Sequence, residues 1–208
     1  MQPAIDIMND GIRANFIKNH NEYRSKRDQL DAANMKKMYY SMELEKAARE
    51  YLNAIPPPEV GPDATTTPKW LSDNELDYYS IFTWQNDRKF CIDQADMLRC
   101  AKFTNIACSE TNRVGCSLVN NTGKMRILVT CFYRPKCTPS HDPYIKGEQC
   151  TRCTNDSKNC EEALCAHSRQ LCPADCRDLF QFNCGACNSP IPGPLAPMPS
   201  HGYTLRGC

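Results

Sequence analysis

The chain has 208 residues, with Lys plus Arg 25 against Asp plus Glu 24 and a formal net charge of +1. Hydrophobic residues make up 41% and charged residues 24%, a globular composition that excludes global disorder. Near-neutrality gives no case for nucleic acid or an anionic membrane as partner, and no apolar run reaches the roughly 18–20 residues of a membrane span.

Read in chain order, residues 4–28 are predicted as a helix. Ile12, Phe16, His20 and Tyr23 form its apolar face, and the charges from Arg13 to Arg27 lie on the other. His20 reads as a core histidine bonded to backbone. The short basic groups Arg24 to Arg27 and Lys36-Lys37 read as solvated helix faces. A second helix is predicted over 41–55, with Ser41 as N-cap, an apolar stripe through Leu44, Ala48 and Leu52, and a stop at Pro56-Pro57-Pro58. Residues 56–69 read as a Pro, Gly and Thr loop. Shorter helices are expected over 72–83 and 93–107. Tyr39, Tyr40, Tyr78, Tyr79 and Trp84 are expected to fill space between layers more than to anchor an interface.

The period then changes to two. Val114, Cys116 and Leu118, then Ile127, Val129, Cys131 and Tyr133, alternate about the turn sequence Asn120-Asn121-Thr122-Gly123. This predicts an antiparallel hairpin in which Cys116 and Cys131 share a face, where a disulfide is geometrically natural.

All 15 cysteines lie between Cys91 and Cys208, and from Cys137 onward they are 10 of 72 residues. That density exceeds the roughly 8–10% of a disulfide scaffold, and it predicts a secreted, extracellular chain whose Met1 replaces a removed leader. Residues 138–208 hold few large aliphatics, so their order is expected from crosslinks, with a Pro-rich tail at the end. Cys150-x2-Cys153 and Cys184-x2-Cys187 carry a second reading, a tetrathiolate zinc site. The intervening Cys160, Cys165, Cys172 and Cys176 favour disulfides throughout. The odd count leaves one thiol over. Cys208 is the expected interchain thiol of a disulfide-linked dimer. Asn120 and Asn155 open glycosylation sequons. The four histidines, His20, His141, His167 and His201, form no nucleophile motif, so no catalytic residues are assigned.

Three segments in order resemble the CAP superfamily of cysteine-rich secretory, antigen 5 and pathogenesis-related proteins. They are His20-Asn21-Glu22-Tyr23-Arg24-Ser25, Ala32-Ala33-Asn34-Met35 through Ala47-Ala48, and Phe103 to Cys108 followed by Val114-Gly115-Cys116 and Leu128 to Pro135. The flavour is that of the venom-allergen-like or activation-associated secreted proteins of parasitic worms. Over roughly Ile5–Pro135 the resemblance implies an α+β fold, a three-layer α-β-α sandwich, followed by a small disulfide-rich module. The expected division is 1–137 and 138–208. It implies a Cys116–Cys131 bridge and a scaffold role for His20, Asn21 and Arg24.

The family often carries a cleft of two His and two Glu that holds a divalent metal. Here Lys102 stands at one His position, residues 54–101 contain no histidine, and Glu75 alone aligns with a family Glu. The expectation is a degenerate cleft with no metal and no cofactor. The function expected is that of a secreted, non-catalytic binding protein, directed at a protein or cell surface through residues 56–90 and the Cys-rich module, as an effector or immunomodulator. The alternatives are a sterol or fatty-acid carrier and a disulfide-linked matrix component.

Overall fold

The computed structural model describes residues 5–53, 64–69, 83–92, 96–121 and 126–166. Residues 72–82 of the helix expected over 72–83, the turn at 122–125, Cys184, Cys187, Cys208, His167 and His201 lie outside the described residues.

The chain opens with strand β1 (Ile5–Asp6) and helix α1 (Asp10–Ser25). The helix is shorter than the 4–28 expectation because Asn9 caps it: the Asn9 side chain accepts the Ile12 amide at 3.0 Å in extended backbone. Lys26 is also extended and ends it. Strand β2 (Tyr39–Tyr40) leads into helix α2 (Met42–Asn53), whose Leu44 amide donates to the Ser41 hydroxyl at 3.3 Å. The segment expected as a loop at 56–69 contains strand β3 (Ala64–Lys69), antiparallel to β5 from Ala64–Phe132 to Lys69–Ile127. Among the described strands β3 stands at the end of the sheet order, the kind of position where a strand tolerates a proline such as Pro68. A 3-10 helix (Asp87–Cys91) precedes helix α3 (Met97–Ala107), which starts later than residue 93 because Asp96 caps the Arg99 amide.

Strands β4 (Arg113–Asn121) and β5 (Arg126–Arg134) form the hairpin, with Cys116 opposite Cys131. The sheet runs β1-β4-β5-β3, with β2 parallel to β4. Strand alternation assigns its two faces. Val114, Cys116, Leu118, Val129, Cys131 and Tyr133 pack with Phe16, Tyr23, Phe103 and Ile106 in one buried cluster. Burial of each large apolar side chain there contributes roughly 1.5–3 kcal/mol. The opposite face receives α2. A Cβ on Gly115 would lie 2.3 Å from the Glu45 nitrogen and 2.4 Å from the Ser41 oxygen, so only glycine lets helix and strand backbones meet. Phe132, two strand positions from Arg134 on this face, packs edge-on against Tyr51. Helices on both faces of a mostly antiparallel sheet make the α+β, three-layer sandwich.

Five disulfides staple the described residues: Cys91–Cys100, Cys108–Cys137, Cys116–Cys131, Cys150–Cys160 and Cys153–Cys165. Beyond the hairpin, β6 (Asn159–Glu161) pairs with β7 (Leu164–Ala166), and Tyr144 and Leu164 join the main core.

Candidate functional site

The position that the family resemblance marks as a metal-cleft histidine is Lys102, on α3. It is half-buried and lies in the field of Asp87, which the 3-10 helix supplies and the Cys91–Cys100 bridge holds near the start of α3. Burial pulls the Lys102 ammonium below its usual range, with Asp87 opposing and Arg99 adding to the fall. Burial raises the Asp87 carboxyl, with Lys102 and Arg99 opposing. Asp87 and Lys102 attract, but burial outweighs that attraction for both groups. The ammonium would repel a divalent ion and offers it no lone pair, so these residues do not fit the family's metal. The second expected cleft residue, Glu75, lies outside the described residues.

Cys150, Cys153 and Cys165 bring three sulfurs within 4.8 Å of one another. All three are spent in two disulfides, one to Cys160 and one between Cys153 and Cys165. The described half of the zinc reading is thereby removed, since a thiolate ligand must be free.

His20, Asn21 and Arg24 knit the scaffold. The His20 Nδ1–H donates to the Phe16 carbonyl at 2.7 Å, so Nε2 accepts the hydrogen bond from the Tyr133 hydroxyl at 2.9 Å. Burial drives the imidazole down to about 4, with the Phe16 bond opposing and Arg24 adding to the fall. Asn21 bonds both ways to the Met38 backbone. Arg24 does not lie on a solvated face: it is 1% exposed and makes five hydrogen bonds to the carbonyls of Lys36, Ile106, Cys108 and Thr111. Two of these belong to the C-terminal end of α3, where a cation is favoured. Burial still pulls its pKa down to about 9, against the raising influence of Tyr133, Tyr23 and Glu110. Arg13 is likewise drawn inward, with a fork on Glu45 at 2.7 and 2.8 Å. Tyr40 O–H donates to the same carboxylate.

Lys36 and Lys37 are also buried, against the expectation of a solvated face. They sit between the sandwich and the Cys-rich segment. Lys36 reaches Glu110 at 2.9 Å and Asp156 at 3.3 Å; Lys37 reaches Glu161 at 3.2 Å and Glu162 at 3.1 Å. Backbone bonds accompany them, from Lys37 to the Cys165 carbonyl and from Cys165 to Met35. Sequence reasoning missed these roles because the partners lie 74 to 125 residues away. The doublet's place inside the second family motif was the available signal.

Asn155 is exposed at the start of a 3-10 turn, and Asn120 lies in β4 between β1 and β5. His141 is partly exposed beside Asp142 at 3.2 Å. Tyr39, Tyr40 and Trp84 are buried. Among the described residues no helix is long and apolar enough to cross a membrane.

The Hookworm Platelet Inhibitor shares this fold with a TM-score of 0.64 at 18% identity, over 77% of this chain and 92% of that one. Na-ASP-1 matches at 0.60 and 21%, over 81% of this chain and 51% of that one. BmVAL-1 matches at 0.58 and 17%, over 81% of this chain and all of that one. No curated protein matches the chain. The model of the cysteine-rich secretory protein family, CAP, matches residues 17–133, more than half of the sequence. With its scaffold motif, sandwich and hairpin in place, the chain belongs to the CAP family.

Proposed function

We propose that the protein is secreted and acts without catalysis, by presenting a disulfide-fixed surface to a partner protein or cell. The observation that carries this reading is Lys102 on α3, at the place where the resemblance implies a metal-binding histidine. An ammonium in place of an imidazole gives a divalent ion no ligand there, which removes the Lewis acid of the family's cleft. The scaffold around it is intact: His20, Asn21, Arg24 and five disulfides hold the loops rigidly. Rigid loops on a crosslinked frame bind with little entropy lost on ordering.

The test is saturable binding of labelled, oxidised protein to intact cells. Platelets are the first choice, because one fold neighbour is named for inhibiting them. Binding that survives Lys102→Ala and disappears on reduction is expected. A turnover activity that falls with Lys102→Ala would overturn the reading.

A further inference from the structure

The Cys-rich segment sets two disulfides side by side. A turn supplies Cys150 and Cys153, and the hairpin of β6 and β7 supplies Cys160 and Cys165, which are direct cross-strand partners and so share a face. The bonds run from turn to hairpin, Cys150–Cys160 and Cys153–Cys165, and the sulfurs of Cys150, Cys153 and Cys165 lie within 4.8 Å of one another. One end of the first bond is therefore beside both sulfurs of the second. The two bonds differ in access. Cys160 is exposed, whereas Cys165 is 1% exposed and is tied to the sandwich by its amide to the Met35 carbonyl and its carbonyl to the Lys37 amide. Strained backbone flanks the accessible bond. Cys150 has φ 63°, and the two turn residues of the hairpin, Glu162 and Ala163, have φ 52° and 65°, a left-handed pair that glycine or asparagine ordinarily fills.

We propose that this pair of bonds is a thiol–disulfide relay, entered at Cys160 by a small aliphatic thiol of the class of glutathione. The incoming thiolate attacks the exposed Cys160 Sγ. A new sulfur–sulfur bond forms there, the Cys160–Cys150 bond breaks, and its electron pair leaves on Cys150 as a thiolate. Cys150 then attacks Cys165 Sγ. The Cys150–Cys165 bond forms, the Cys165–Cys153 bond breaks, and Cys153 leaves as the thiolate. Each step breaks one disulfide and forms one, so the incoming thiol is the single co-reactant. Attack on Cys153 would instead expel Cys165 as an anion buried beside Leu164 and Ala166, whereas Cys153 is half-buried and meets water. The end state carries the small thiol on Cys160, a bridge that still fastens the turn to the hairpin, and a free Cys153. The sandwich bridges Cys91–Cys100 and Cys116–Cys131 stay intact, because all four of their cysteines are buried.

Peptide mapping by mass spectrometry tests the relay on the oxidised full chain. The protein is held with glutathione at mildly alkaline pH, quenched and trapped with N-ethylmaleimide in mild acid, then digested. Cleavage after Lys146, Arg152 and Lys158 puts Cys150 and Cys153 on separate peptides, and cleavage after Glu161 parts Cys160 from Cys165. Glutathione is expected on Cys160, with maleimide on Cys153 at least tenfold above that on Cys150 and ahead of any label on Cys91, Cys100, Cys116 or Cys131. The double variant Cys153→Ser with Cys165→Ser removes the second bond and should move the maleimide to Cys150. Absence of glutathione from Cys160 in the native chain overturns the proposal. So does maleimide that rests on Cys150 or Cys165 in place of Cys153, and so does labelling of the sandwich cysteines at the same rate. These outcomes are read on the native chain, so they stand whether or not the double variant folds.

Discussion

Acid should weaken this fold through one imidazole. His20 is fully buried, and its Nε2 must stay unprotonated to accept from Tyr133. Its pKa in the folded protein is about 4, against an ordinary 6.5. Because the folded value is depressed, the unfolded chain takes up the proton first as pH falls. Stability is undiminished above 6.5, declines between 6.5 and 4, and loses nothing more from this group below 4. A gap of about 2.5 units at about 1.4 kcal/mol each gives a loss on the order of 3 kcal/mol. The carboxyls of Asp142 and Asp156 are lowered, so their losses fall below the ordinary range of an aspartate and outside this window. Guanidinium unfolding midpoints of the oxidised protein at pH 7, 5.5 and 4.5, compared with His20→Gln, isolate the effect. The variant starts less stable at pH 7, having lost both histidine bonds, but declines less with acid. Parallel curves for the two proteins would refute the reasoning.

Three shorter predictions follow from the same geometry. Gly115→Ala forces a Cβ onto the backbone of α2 and should lower unfolding stability by roughly 1–3 kcal/mol or more, with altered near-ultraviolet dichroism. Arg24→Met takes the guanidinium donors away from four buried carbonyls, of which Cys108 keeps the Thr111 amide, and should cost at least about 3 kcal/mol in the same assay; an unchanged midpoint would show that the guanidinium is dispensable. Replacing both Cys116 and Cys131 by Ala opens a loop with sequence separation 15 and should cost roughly 3 kcal/mol, with the hairpin otherwise retained.

Much of the sandwich was legible because its signals are local. The α2 stripe and its Ser41 cap lie within one helix, and the alternation about Cys116 and Cys131 sets the hairpin register by itself. Strand β3 was illegible for the opposite reason. Three threonines followed by Pro68 read as a loop, and only pairing with β5 makes them a strand. The charged residues failed in a uniform way. Local pattern assigns Arg24, Lys36 and Lys37 to solvent, since a buried charge is rare without a partner. Their partners come from α3, the loop after it and the Cys-rich segment, so only the tertiary fold reveals that burial is compensated. At the cleft, Lys102 was visible through its motif. Asp87 was not, because a 3-10 helix and a disulfide bring it there.

The Cys-rich segment offers a sharper test of how buried charge holds this molecule together. Its described part, up to Ala166, buries few large side chains besides Tyr144 and Leu164, and its contacts with the sandwich include backbone bonds along residues 31–37 and the ion pairs of Lys36 and Lys37. The Lys37 side chain is 4% exposed, whereas those of Glu161 and Glu162 are 34% and 76% exposed. Solvent screens the glutamates, so each ion pair by itself is worth little. The ammonium is different, because removing both glutamates leaves it buried without a counter-charge. Glu161→Gln with Glu162→Gln should therefore loosen the segment more than Lys37→Met, which removes the charge and keeps the apolar stem. Hydrogen exchange at the Lys37 and Cys165 amides reads this directly, since both bond across the junction. Faster exchange in the double glutamine variant than in Lys37→Met is expected. The reverse order would mean that the segment is held by attraction across the ion pairs, and not by the cost of stranding a charge.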